Sequence, residues 1–162
     1  MIVSDNNIVA YLMIDGERTA EARAVRAKDP DWILPPLWRY EFQNVLVTYG
    51  KRGKLSRDRC RMLWEEALST FSVNEETVPA SYALDLALTN EISAYDAHYI
   101  ALATIRQIPL ITEDRELQRK FPTIALSMNR FLQPPETSMV MERKAPYRRR
   151  RGEKTVTSTP VS

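Results

Sequence analysis

Apolar residues in this chain fall in short runs, and between the runs lie longer stretches where they recur every three or four positions. Short strands therefore alternate with amphipathic helices. Ile2-Val3-Ser4, Trp32-Ile33-Leu34 and Pro109-Leu110-Ile111-Thr112 predict strands, and Thr123 to Leu126 a last one. Helices are predicted over Asn6 to Met13 and Glu17 to Ala27, with a break near Asp15-Gly16. Further helices are predicted over Leu37 to Lys51, from an N-cap at Ser56 to Thr70, and over Pro79 to Thr89, Ser93 to Gln107 and Asp114 to Lys120. A weaker strand is predicted between Phe71 and Val78.

This alternation implies an α/β domain with a central parallel sheet of four to five strands, covered on both faces and linked by right-handed crossovers. In such sheets the site lies beyond the C-terminal strand ends, where the strand order switches direction. Asp5 directly follows the first strand and Asp114 follows the strand at Pro109–Thr112. If those strands are neighbours, the two acids stand at one sheet edge.

Two further carboxylates are out of place on helix faces. Glu41 shares a face with Leu37, Val45 and Thr48, and Asp96 shares one with Ile100 and Ala103. A buried charge needs a partner, a proton or a metal. Two carboxylates near 4 Å repel by roughly 4 kcal/mol at an effective dielectric of about 20. A hard divalent cation such as Mg²⁺ reverses that sign and takes oxygen ligands. Taken singly, Asp5 or Asp114 also reads as a helix N-cap, Glu41 as the partner of an arginine, and Asp96 as a cap near Ser93. Glu113 competes with Asp114, and Asp85 reads as an exposed helix residue. The lone His98 and lone Cys60 exclude an ordinary zinc site and an internal disulfide.

Charge changes the picture only at the C-terminus. The net +2 of the 162-residue chain divides unevenly. Residues 134–162 hold seven Lys and Arg against three Glu, and residues 1–133 are left at −2. The expected organisation is a domain over 1–133 and a basic, flexible tail over 134–162. No apolar run reaches the ~18 residues of a membrane helix. The N-terminus lacks a signal peptide's basic start and long apolar core, so a cytoplasmic protein is expected.

Four segments together resemble a known family. Ile2-Val3-Ser4-Asp5-Asn6-Asn7, Pro35 to Leu46 around Glu41, Ser93 to Ala103 around Asp96, and Pro109-Leu110-Ile111-Thr112-Glu113-Asp114 are similar, in order and spacing, to a PIN domain, especially to the VapC-type toxins of toxin–antitoxin pairs. The resemblance implies a three-layer α/β/α fold and an endoribonuclease dependent on Mg²⁺ or Mn²⁺. It implies Asp5, Glu41, Asp96 and Asp114 as metal-binding and catalytic acids, with Asn7 and Thr112 supporting them. It also implies an RNA substrate, a cognate antitoxin protein and a homodimer. Arg39 and Arg115 are candidate RNA contacts, as is the Lys51-Arg52-Gly53-Lys54 cluster. The chain departs from the family pattern at Asn6, where Ser or Thr is common, and in its tail.

The rival expectation is a catalytically inactive RNA- or protein-binding module on the same scaffold. Loss of two acids would favour it, and the acid set is intact. A phosphatase with an aspartyl nucleophile would need a second Asp where Asn7 stands.

Overall fold

The structure, a computed structural model, describes residues 1–134. Its framework is a parallel sheet of β1 (Ile2–Ser4), β2 (Trp32–Ile33), β3 (Leu110–Ile111) and β4 (Ala125–Leu126), in the order β2-β1-β3-β4. Among the described residues the α-helices are α1 (Asn6–Met13), α2 (Thr19–Lys28), α3 (Trp38–Lys51), α4 (Arg57–Phe71), α5 (Ala80–Asn90), α6 (Ala94–Arg106), α7 (Arg115–Lys120) and α8 (Met128–Leu132). The expected tail falls almost entirely outside the described residues.

Strand alternation divides the core between the two faces of the sheet. Ile2, Trp32, Leu34 and Ile111 join one cluster with side chains of α1, α2, α3 and α4. Val3, Ile33, Leu110 and Ala125 join another, with Tyr99, Ile100 and Leu102 of α6 and Leu117 of α7. Helices therefore cover both faces, which gives the three-layer α/β/α arrangement.

β1 pairs with β2 through Val3 and Ile33, and with β3 through Ser4 and Ile111. The chain leaves β1 toward one side of the sheet and later returns on the other. The direction switch thus lies between β1 and β3. Asp5 leaves β1 at that point, its backbone N–H donating to the carbonyl of Ile111 at 3.0 Å.

The strand expected between Phe71 and Val78 does not form. Phe71 ends α4 and stacks on Trp32 with ring centroids 5.9 Å apart, and its edge meets Trp38 at 5.8 Å. That aromatic packing keeps Phe71 helical. The chain runs on as a 3₁₀ turn over Ser72–Asn74 and touches the sheet edge only through a parallel bridge between Leu34 and Glu75. The short α8 was not expected. Its cap, Ser127, accepts from the N–H of Arg130.

Candidate active site

Asp5 occupies the N-cap position of α1, yet its side chain makes no capping hydrogen bond. The Thr112 hydroxyl and the Asn7 amide (2.7 Å) both donate to its Oδ2 instead. Thr112 is fully buried just past β3, and its oxygen also accepts from the backbone N–H of Asp114 at 3.0 Å. The two strand ends are thus knit together side chain to side chain. Burial pushes the Asp5 carboxyl up to about 6, assisted by the nearby Asp96 and opposed by the Thr112 hydroxyl and the amides of Asn7 and Asn6.

Glu41 reaches the same region from the first turn of α3. Its Oε2 accepts from the buried Tyr99 hydroxyl at 2.5 Å. Burial and the charges of Asp5 and Asp96 raise Glu41 to about 7, while the Tyr99 bond pulls it down. Tyr99 is itself held well above its ordinary value, first by burial and then by Glu41 and Asp5, so it stays a donor.

Asp96 stands in the first turn of α6, reciprocally bonded to the cap. Ser93 Oγ accepts from the Asp96 N–H at 3.0 Å and donates to Asp96 Oδ2 at 2.6 Å. The cap of α6 is thus Ser93 and not Asp96, whose carboxylate accepts, among the described residues, only from the Ser93 hydroxyl. Asp114 differs from Asp5 in being a working N-cap: its Oδ1 accepts from the N–H groups of Glu116 (2.7 Å) and Leu117 (3.0 Å). Its competitor Glu113 is engaged elsewhere, pairing with Arg18 at 3.0 Å and accepting from the Met128 N–H at 2.9 Å.

Asp5, Glu41 and Asp96 thus lie within one another's electrostatic reach, while Asp114 touches Thr112 only through its backbone N–H and gives a carboxylate oxygen to the α7 cap. The set is loose. Among the described residues, no three acids, histidines or cysteines converge closely enough to cage a metal ion by themselves. The donor chemistry still suits a hard cation. All the donors are oxygens, two are desolvated carboxylates, and Mg²⁺ is commonly held by one or two carboxylates with water completing its shell.

Sequence reasoning missed two residues. Tyr99 lies one turn after Asp96 on α6, and that spacing was its only signal. Ser93 was seen as a helix start but not as the clamp on Asp96. The candidate RNA contact Arg39 is occupied: its Nε and Nη2 donate to Glu75 at 2.5 and 3.1 Å, and Trp38 Nε1 donates to the same carboxylate at 2.7 Å. Arg115 is exposed. Asn6 is buried, and its Oδ1 has no hydrogen-bond partner. Asp85 is exposed, as expected.

A parallel sheet with acids at its switch point, covered on both faces by helices, defines a class of α/β domain with an acidic site rather than one protein. The PIN domain family matches residues 2–121, and this chain belongs to that family. It is 31% identical over 126 residues to Ribonuclease VapC3 of Pyrobaculum aerophilum, an alignment that spans 76% of this chain and 96% of the relative. Its fold is similar to that of PAE2754 from Pyrobaculum aerophilum, with a TM-score of 0.67 and 21% identity over 81% of this chain and 91% of that one. It is also similar to FitAcB from Neisseria gonorrhoeae, at 0.60 and 17% over 79% and 98%. A toxin-antitoxin complex from Klebsiella pneumoniae gives 0.54 and 25% over 79% and 98%. No helix among the described residues is long and apolar enough to cross a membrane.

Proposed function

We propose that this chain is a metal-dependent endoribonuclease that hydrolyses RNA phosphodiester bonds and serves as the toxin of a toxin–antitoxin pair. The observation that carries the reading is the Asp5 carboxylate. It follows β1 at the sheet's switch point, is held by Thr112 and Asn7 rather than used as a cap, and lies beside Glu41 and Asp96. The Pyrobaculum relative, a ribonuclease by name, and the Klebsiella toxin-antitoxin complex support the same reading.

Asp5, Asp96 and Asp114 would hold Mg²⁺ or Mn²⁺, and Glu41 would be a ligand or the base that orients the attacking water. When bound, the ion supplies Lewis-acid polarisation of the phosphoryl group and a more acidic water. The protein's own part is positional. Thr112 and Asn7 fix Asp5, Tyr99 fixes Glu41, and Ser93 fixes Asp96, each leaving a carboxylate oxygen for other work. Without the ion Glu41 is raised to about 7; beside a bound cation it would be ionised and able to accept a proton from water.

The antitoxin belongs to the proposal as well. A groove of about 620 Å³ between α3 and α4 has Leu46, Leu55 and Trp64 among its lining and Lys51, Arg57 and Arg61 beside them. An amphipathic helix with an acidic edge fits that chemistry. A homodimer and a cytoplasmic setting complete the reading.

The test is cleavage of total RNA by the full chain with Mg²⁺, Mn²⁺ or EDTA, beside the variant Asp5→Asn. Cleavage that requires the ion and is lost in the variant is the expected result. Activity indifferent to both would remove the reading. RNA affinity without cleavage under any condition would favour the inactive binding module.

A further inference from the structure

We propose that the cleft between the Pro35–Leu37 turn and the start of α6 is a nucleobase subsite, which seats one unpaired base of the RNA beside the acidic site. The proposal rests on the ribonuclease reading and adds to it a means of selecting a base.

The cleft encloses about 330 Å³ and is lined by Pro35, Pro36, Leu37, Val78, Tyr95 and His98, among others. That volume lies at the lower end of the roughly 300–1,000 Å³ of small-ligand sites. No carboxylate, Lys or Arg lines it. Next to a strongly acidic site, an uncharged and mainly apolar cleft offers nothing to a phosphate and a good surface to a base.

Its position ties it to the acids. Leu37 precedes Glu41 by one helical turn, and Tyr95 adjoins Asp96 in sequence. Successive helix side chains are rotated by about 100°. Tyr95 therefore lies between His98, on the cleft side of α6, and Asp96, on the site side. A nucleotide whose phosphate lay at the carboxylates would have its base within reach of that wall.

Tyr95 is 66% exposed, although an aromatic ring is costly to leave in water. Tyr40, next to Glu41, is 76% exposed. Each ring adjoins an acid of the site in sequence and faces solvent. Every base has a π-face, and aromatic side chains are the usual stacking platforms for unpaired bases. His98 adds ring nitrogens able to donate to or accept from a base edge.

The test measures binding rather than turnover. The full chain carrying Asp5→Asn, in Mg²⁺, is titrated with labelled single-stranded hexaribonucleotides in which each position in turn is made abasic. One abasic position should weaken binding by about 5- to 100-fold, the range of a single stacked base. In Asp5→Asn/Tyr95→Ala that position should cost nothing, while Tyr95→Phe should restore the cost. His98→Ala should change which base is preferred there. An abasic penalty that survives Tyr95→Ala overturns the subsite. So does a Tyr95→Ala loss equal for every ligand. If Tyr95→Ala leaves RNA affinity untouched, the cleft belongs to a protein partner and the proposal fails. Cleavage by the wild type without any base dependence removes the subsite alone. Base-dependent binding without wild-type cleavage keeps the subsite and removes the nuclease.

Discussion

The Tyr99 hydroxyl donates to Glu41 Oε2 at 2.5 Å, joining α6 to α3 across 58 residues of sequence. The bond holds a desolvated carboxylate that already resists ionisation. Tyr99→Phe keeps the ring and removes the donor. It should lower RNA cleavage about 10- to 100-fold, as loss of a group that orients a ligand does. It should also destabilise the fold by about 1–3 kcal/mol near pH 8. Near pH 5, where Glu41 is protonated, the loss should be smaller. Denaturant midpoints at the two pH values check the difference.

Thr112→Val removes a buried hydroxyl that donates to Asp5 and accepts from the Asp114 N–H. Valine fills the space but leaves both partners short. The expected cost is about 1–3 kcal/mol, with cleavage reduced more than for Thr112→Ser. Parallel thermal melts and cleavage rates on the two variants decide it, since equal rates would make the hydroxyl irrelevant.

Asp5 and Glu41 both have raised carboxyl values, about 6 and about 7. The folded protein therefore keeps protons that the unfolded chain has released. Stability rises with pH only where the unfolded state binds more protons, so here the contribution has the opposite sign. In EDTA, these groups should erode stability as pH climbs from about 4 to about 7, by on the order of 3–6 kcal/mol together. Asp5→Asn should abolish cleavage and yet be more stable than wild type at pH 7 without metal. The gap should close toward acid pH. Mg²⁺ should raise the melting temperature of wild type more at pH 7.5 than at pH 5, because it binds the ionised folded form.

Glu75 accepts from Arg39 twice and from Trp38 once. Arg39→Ala should therefore destabilise the protein by only roughly 0.2–1 kcal/mol, since the partly exposed pair is screened. It should leave the salt slope of RNA binding unchanged. A slope smaller by about one would make Arg39 a phosphate contact after all.

The residues that end strands were the most legible part of the site. Asp5 and Thr112 follow apolar runs, and a parallel sheet has only one edge where such residues meet. Ser56 was readable as a cap because its side chain is local, accepting from the N–H of Arg59. Tyr99 was not, because an inward tyrosine looks like core until its hydroxyl's partner, on another helix, is placed. The segment after Phe71 misled for a similar reason. Its apolar residues fit a strand locally, but the rings of Trp32 and Trp38 claim Phe71 for the helix. α8 spans only Met128–Leu132, too short for a period to show.

Thr112 and Asp5 are 107 residues apart in the chain, and β1 has one neighbour on each side. At about 5–20 residues per second of synthesis, Asp5 leaves the ribosome about 5–20 seconds before the strand that completes its surroundings. During that interval its carboxylate lacks the Thr112 hydroxyl, and β1 lacks β3 as its second neighbour. A growing or truncated chain therefore lacks the Thr112–Asp5 contact, which can form only when the domain is nearly whole.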